Sequence, residues 1–276
     1  MDSWYSAHGI TLRDGLKRQL AMHHAFGCMG EPVARDFDAQ MFSRYREKRL
    51  KGEYARSNRV KEVSPRTLNL ELAYFRAMFN ELIRLGEWKG ENPLKNMRPF
   101  RTEEMEMAWL THDQISLLLG ECKRHAHSDL ESVVRICLAT GARWSEAESL
   151  RKSQLAEYKI TYTNTKGRKN RTVPISKELY ESLPDDKKGR LFSDCYGAFR
   201  SALERTGIEL PAGQLTHVLR HTFASHFMMN GGNILVLQRV LGHTDIKMTM
   251  RYAHFAPDHL EDAVKLNPLN MRPHHE

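Results

Sequence analysis

Four stretches of this 276-residue sequence carry side chains that could share one chemical target. In THVLRHTFASHF, successive side chains on a helix step by about 100°, so Leu219, Phe223 and Phe227 line one apolar stripe. His217 and Arg220 fall about 60° apart on a polar edge beside it. An arginine presents a planar fork that matches two oxygens of a phosphate, and a histidine adds a hydrogen bond or a proton. The plain alternative is a surface His and Arg on an amphipathic helix. His217 and His221 also stand four apart, the spacing of two zinc ligands. Val218 follows His217 where the zinc motif needs glutamate, however, and no cysteine stands nearby as a third ligand. A metal site is therefore not expected.

In ATGARWSEAESL, Arg143 follows a turn glycine and precedes a helix that Ser145 and Glu148 are expected to cap. A guanidinium next to the positive end of a helix makes an anion site, and a solvated linker arginine is the alternative. Glu146 is placed to hold this arginine or a neighbour. YKITYTN and RTVPI alternate around TKGRKN, which predicts a hairpin carrying Lys166, Arg168, Lys169 and Arg171. Basic hairpin tips commonly serve solubility, yet a hairpin can also lay a lysine into a DNA groove, where its ammonium donates a proton to a leaving oxygen. In LGHTDIKMTMRYAHF, His243 follows a glycine and Tyr252 comes nine residues later. On one helix Ile246, Met250 and Ala253 form the packing stripe, with Tyr252 about 120° away. The tyrosine is expected off the core, ready to reach a target.

The elements that must position these groups are mostly helical. TLRDGLKRQLAMHHAF and DFDAQMFSRYREKRL have helical periodicity, the second with Asp36 or Asp38 as cap. SPRTLNLELAYFRAMFNELIRLGEW opens with Ser64 as N-cap and Pro65 at the first helical position, and its stripe is Leu68, Leu72, Phe75, Met78, Phe79 and Leu82. KGENPLKNMRPFRTEEMEM has two prolines, many charges and no period, and reads as a linker between domains. Thr111 and Gln114 make a capping box on the next helix. LESVVRICLA, apolar nearly all round, is expected to be buried. DCYGAFRSALERTGI, NILVLQRVL and DIKMTMRYA complete the helices.

Bulk properties fit a two-domain globular chain. Net charge is +8, and residues 1–100 hold 18 Lys and Arg against 12 Asp and Glu, so the front third suits a polyanion or is simply a solvated basic face. No apolar run reaches the roughly 20 residues that span a bilayer. The N-terminus lacks a secretory layout. Cys28, Cys122, Cys137 and Cys195 are scattered, which suits a reduced cytoplasmic life.

Taken together, TGARWSE, TKGRKNRTVPI, HVLRHTFASHF and LGHTDIKMTMRYAHFAP resemble the tyrosine recombinases, specifically the integrases of temperate phages. The resemblance covers residue 108 to about 265. SPRTLNLELAYFRAMFNELIRLGEWKGENPL is similar to the family's helical core-binding domain. The fold implied is mainly α with a small β-hairpin sheet, a two-domain DNA clamp. Its parts would be a core-type DNA-binding domain over 1–98, a linker over 99–107, a catalytic domain over 108–265 and a C-terminal tail over 266–276. Position by position, the resemblance assigns Arg143, Lys166, His217, Arg220, His243 and Tyr252 as catalytic, with Glu146 in support and Lys169 in the same turn as Lys166. Tyr252 would attack phosphorus to give a 3′-phosphotyrosine, His217 would take the phenol proton, and Lys166 would protonate the 5′-oxygen, with no cofactor, metal or ATP. The partners implied are double-stranded attachment sites, a homo-tetramer on two duplexes with tail exchange, and DNA-bending accessory proteins of a bacterial host. Candidate groove contacts are Arg56, Arg59, Lys61, Arg66, Asn69, Arg168 and Lys169. Many members carry a small arm-binding domain ahead of this point, whereas this sequence begins at the core-binding domain. A helical repressor and a type IB topoisomerase are the competing readings.

Overall fold

The computed structural model describes residues 1–55, 62–102, 106–163, 170–185, 187–257 and 264. The chain divides into two compact units, Met1–Glu104 and Met105–Glu276. It is mostly helical, with one small antiparallel sheet. Among the described residues, no helix is long and apolar enough to cross a membrane.

The first unit holds α1 (Asp2–Ala7), α2 (Gly15–Cys28), α3 (Ala39–Leu50) and α4 (Pro65–Arg84). Local chemistry sets two of the starts. The Asp38 carboxylate accepts from the Met41 N–H at 2.7 Å, and the Ser64 hydroxyl accepts from the Thr67 N–H at 3.3 Å, with Pro65 as the first helical residue. The α4 stripe of Leu68, Leu72, Phe75, Met78 and Phe79 is buried with Trp4, Phe37 and Phe42. Within that core Glu71 accepts from the Tyr45 hydroxyl at 2.8 Å and from Arg49 at 3.3 Å, so the buried charge is paired.

The stretch expected to be a linker from residue 89 onward is, up to Phe100, bound into this unit. Leu94 is fully buried. Arg76 donates to the carbonyls of Leu94 (2.9 Å), Lys95 (3.2 Å) and Met97. The Asn69 amide and the Phe100 backbone exchange two hydrogen bonds, of 2.9 and 2.7 Å. An irregular segment held by side-chain-to-backbone bonds shows no period, which is why composition alone misreads it.

The second unit holds α5 (His112–Arg124), α6 (Leu130–Thr140), α7 (Trp144–Glu148), β1 (Leu155–Ala156), β2 (Lys159–Tyr162), β3 (Arg171–Pro174), α8 (Lys177–Glu181), α9 (Tyr196–Thr206), α10 (His217–Met229), α11 (Ile234–Leu241) and α12 (Lys247–Met250). The sheet runs β1-β2-β3, with Ile160 opposite Val173 and Tyr162 opposite Arg171. Neither β1 nor α8 is visible in the sequence pattern. The Thr111–Gln114 capping box opens α5, and α6 is buried on most sides, both as expected.

Two expectations fail here. The first residue ahead of α7 is Arg143, not Ser145, and it is the Glu146 carboxylate that accepts from the Arg143 N–H at 2.9 Å. Glu148 instead accepts from the Trp144 indole N–H at 3.0 Å and from the Cys195 N–H at 2.9 Å. The stripe proposed for α12 is also wrong. That helix lasts four residues and the chain then tightens into a 3-10 turn over Ala253–Phe255, so a 100° step cannot be carried through to residue 252. Thr249 and Tyr252 face inward, and Met250 is 52% exposed.

Candidate active site

Arg220 is the centre of the site. It was expected on a polar edge of α10, but it is 4% exposed. Its guanidinium donates to the Gly141 carbonyl at 2.7 Å, to the Leu241 carbonyl at 2.7 Å and to His243 Nε2 at 3.0 Å. Both carbonyls sit at the end of a helix, α6 and α11, closed by a glycine in the left-handed region (Gly141 φ 63°, Gly242 φ 68°). The negative ends of two helices therefore hold a buried cation. Burial, then the charges of Arg143 and Arg171, lower its pKa to about 10, which still leaves it protonated at neutral pH.

Because arginine only donates, His243 Nε2 must accept, which leaves the ring proton on Nδ1. Nδ1 lies 2.8 Å from the Thr249 hydroxyl and donates to it. Burial first, then Arg220, Arg143, Arg171 and Arg251, push the His243 pKa down to about 4, so the imidazole is neutral.

Arg143 belongs to a second cluster. Its guanidinium donates to Glu146 Oε1 at 3.0 Å. Arg171 donates to the same carboxylate at 3.2 and 2.6 Å, stacks over the Tyr162 ring at 4.5 Å and packs beside Gly242. Burial raises the cost of the Glu146 charge, but the hydrogen bonds and charge of Arg171, followed by those of Arg143, outweigh it and bring the pKa to about 2. Glu146 thus fixes two arginines.

Tyr252 is 2% exposed, seated with Ala224, Met228, Leu237 and Leu241. Its hydroxyl lies 2.8 Å from Nδ1 of His221, so the phenol is bonded to His221 and not to His217. Burial pushes the Tyr252 pKa up, while Arg220 and Arg251 pull against it. His221 has its own pKa lowered to about 4, by burial and then by Arg251, His217, Arg220 and His243. A neutral ring with its proton on Nε2 accepts this hydrogen bond from the phenol at Nδ1. His217, the first residue of α10, is exposed, with its ring 6.2 Å from that of His221.

Arg143, Glu146, His217, Arg220, His243 and Tyr252 thus converge in one region of the second unit. Lys166, Arg168 and Lys169 lie outside the described residues, as do Arg56, Arg59 and Lys61. Arg66 is exposed on the first turn of α4. Asn69 exchanges two hydrogen bonds with the Phe100 backbone. Three residues of the site escape the sequence reading. Arg171 could have been found, because strand alternation puts it on the inner face with Val173. His221 was weighed only as half of a metal pair, and among the described residues no group of three or more His, Cys, Asp or Glu could hold a metal ion. Thr249 leaves no signal.

Cations and neutral donors gathered beside a phenol, on a helical unit with one small sheet, define a site that handles phosphate oxygens. Comparison with known proteins makes this specific. Residues 1–101 match the profile described as "Phage integrase, N-terminal domain", and residues 108–259 match the "Phage integrase family". The integrase of Escherichia phage 186 is 95% identical over 269 residues, covering 98% of this chain and 80% of that protein. The catalytic domain of bacteriophage HP1 integrase is 65% identical, with a TM-score of 0.59, over 60% of this chain and 100% of that domain. The Tn1549 transposon integrase, solved in complex with a circular intermediate DNA, shares the fold at 16% identity, with a TM-score of 0.70 over 98% of each chain. The chain belongs to the phage integrase family of tyrosine recombinases and is a site-specific DNA recombinase.

Proposed function

We propose that this recombinase acts on a DNA phosphodiester through Arg143, Lys166, His217, Arg220, His243 and Tyr252, with Glu146 in support. The observation that carries the reading is the convergence of Arg220, His243 and the Arg143–Glu146 pair beside Tyr252. A phosphodiester repels nucleophiles because its oxygens are anionic. Arg143 and Arg220 neutralise those oxygens, and His217 and His243 supply hydrogen bonds as charge builds in the pentavalent transition state, His243 once it has given up its resting bonds to Arg220 and Thr249. Donors fixed in advance are commonly the largest catalytic term, and losing one costs about 3–4 kcal/mol. The Tyr252 oxygen bonds to phosphorus as its proton passes to His217, the bond to the 5′-oxygen breaks, and Lys166 protonates the leaving oxygen to release a 5′-hydroxyl. The 3′-phosphotyrosine conserves the bond energy, so a second strand reseals it without ATP.

The Tyr252 phenol must leave its buried seat before it attacks. Arg143 and Arg220 remain in place meanwhile, ready for the phosphate. The partners in this reading are two duplex attachment sites, a tetramer with exchanged C-terminal tails, and DNA-bending accessory proteins in the cytoplasm of a bacterial host. The tail reading falls on residues of which only Val264 is described after Pro257. Backbone contacts dominate the DNA grip, so affinity falls steeply with salt.

A nicked suicide substrate carrying the attachment site tests the assignment. The parent protein is expected to form a covalent adduct in EDTA, and Tyr252→Phe to abolish it while leaving DNA binding intact. An adduct formed by Tyr252→Phe would remove Tyr252 from its role. No adduct from either protein would favour a repressor, and relaxation of any supercoiled plasmid a topoisomerase.

A further inference from the structure

In the free protein the proposed nucleophile is both seated in an apolar cluster and tied by its only polar atom to a side chain outside the six assigned groups. We propose that His221 is a latch for Tyr252: the hydrogen bond between its Nδ1 and the phenol holds the nucleophile in its buried seat until DNA is bound. The inference rests on Tyr252 being the nucleophile.

Three observations converge on this role. The hydrogen bond is short, at 2.8 Å, and joins α10 to the turn after α12, 31 residues apart. The ring of Tyr252 fills a pocket of Ala224, Met228, Leu237 and Leu241, where an unpaired hydroxyl would be costly. The nucleophile is also carried by a segment of short elements. A four-residue helix and a three-residue turn flank it, and Lys247, Met248, Met250 and Arg251 are all exposed, so little packing opposes an outward swing. Thr249, anchored by His243, marks the inner end of the moving piece. His221 faces Tyr252 and Arg251 from that segment, His217 and Arg220 from its own helix, and His243 from the turn after α11. Burial first, and then Arg251 and the other neighbours, keep its ring neutral. A positioning residue of this kind slows no bond-making step. It sets how often the phenol is free.

Two variants separate the latch from a filler. Asparagine carries its amide where Nδ1 of histidine stands, whereas glutamine carries its amide one carbon farther out. The full chain without DNA is treated with tetranitromethane, and nitration is read by peptide mass at Tyr252, with buried Tyr162 and partly exposed Tyr158 as internal gauges. Tyr252 in the parent is expected to react as slowly as Tyr162. His221→Gln is expected to raise its rate about three- to ten-fold, the factor that one net hydrogen bond supplies, and His221→Asn to leave it near the parent. Equal Tyr252 rates in all three proteins overturn the latch, as does a parental Tyr252 that reacts like Tyr158. If Tyr162 also accelerates in His221→Gln, its core has loosened and His221→Asn decides alone, with fast Tyr252 nitration there refuting the proposal. Adduct formation on the suicide substrate gives the second readout. The latch predicts that His221→Gln cleaves at least as fast as the parent, and a slow His221→Gln rescued by His221→Asn overturns it in favour of a base. Nitration needs no catalysis, so an adduct surviving in Tyr252→Phe defeats the nucleophile assignment separately.

Discussion

Arg171 binds three parts of the site at once: the Glu146 carboxylate, the face of Tyr162 and the turn at Gly242. The sequence presents it as one more cation at a basic hairpin tip, and only strand alternation marks it as inward-facing. Glu146 and Arg143 were legible together because they sit three residues apart at the start of one short helix, whereas the pairing of Glu146 with Arg171 spans 25 residues and depends on the fold. Arg171→Met is expected to lower stability by about 3 kcal/mol, as breaking a buried pair does, the low end applying because Arg143 stays on Glu146. Arg171→Lys keeps the charge and loses the fork, and should fall between Arg171→Met and the parent in both stability and adduct rate. Urea denaturation and the suicide-substrate assay read the two quantities. Full adduct activity in Arg171→Met would show that Arg143 needs no such support.

Helix starts were readable wherever one side chain decides them. Asp38, Ser64 and Thr111 each bond the backbone of their own first turn, a contact that needs no tertiary partner. Periodicity failed where the helix was too short or the polar residue was buried. A helix of four residues has no stripe, and a rule that treats arginine as polar cannot foresee Arg220 held by the ends of two other helices. Those ends give a prediction. A Cβ added at Gly141 would stand 2.5 Å from Phe223 Cδ1 and 2.7 Å from Leu241 Cδ2, while one at Gly207, with a similar φ of 68°, would meet nothing within 4 Å. Gly207→Ala is therefore expected to cost about 1–2 kcal/mol for the left-handed backbone alone. Gly141→Ala should cost roughly 1–3 kcal/mol more for overpacking, and should also depress adduct formation, since its carbonyl holds Arg220. Thermal melts of the two variants compare these directly, and equal losses would refute the packing account.

At the level of the whole molecule, two buried histidines and Glu146 of the second unit lose their contribution to stability in the same direction, toward acid. His221 and His243 have pKa values of about 4 against an ordinary 6.5, so between those values the unfolded chain takes up protons that the folded one refuses. Stability is then flat above pH 6.5 and falls as pH drops toward 4. Glu146, at about 2 against 4.5, adds stability above pH 4.5 that is lost as pH falls through 2. Melting temperature is expected to decline as pH falls below 6.5, with His243→Asn shallower than the parent between pH 6.5 and 4. An unchanged slope would remove His243 from the account. Arg220, finally, is gripped by main-chain oxygens at Gly141 and Leu241, not by side chains. A different side chain at position 241 leaves that oxygen in place, but inserting or deleting one residue in α6 or α11 would rotate the helix end by about 100° and shift it by about 1.5 Å. The arginine therefore constrains the lengths of two helices far more tightly than their spelling, and single-residue insertions there should silence the enzyme where most substitutions do not.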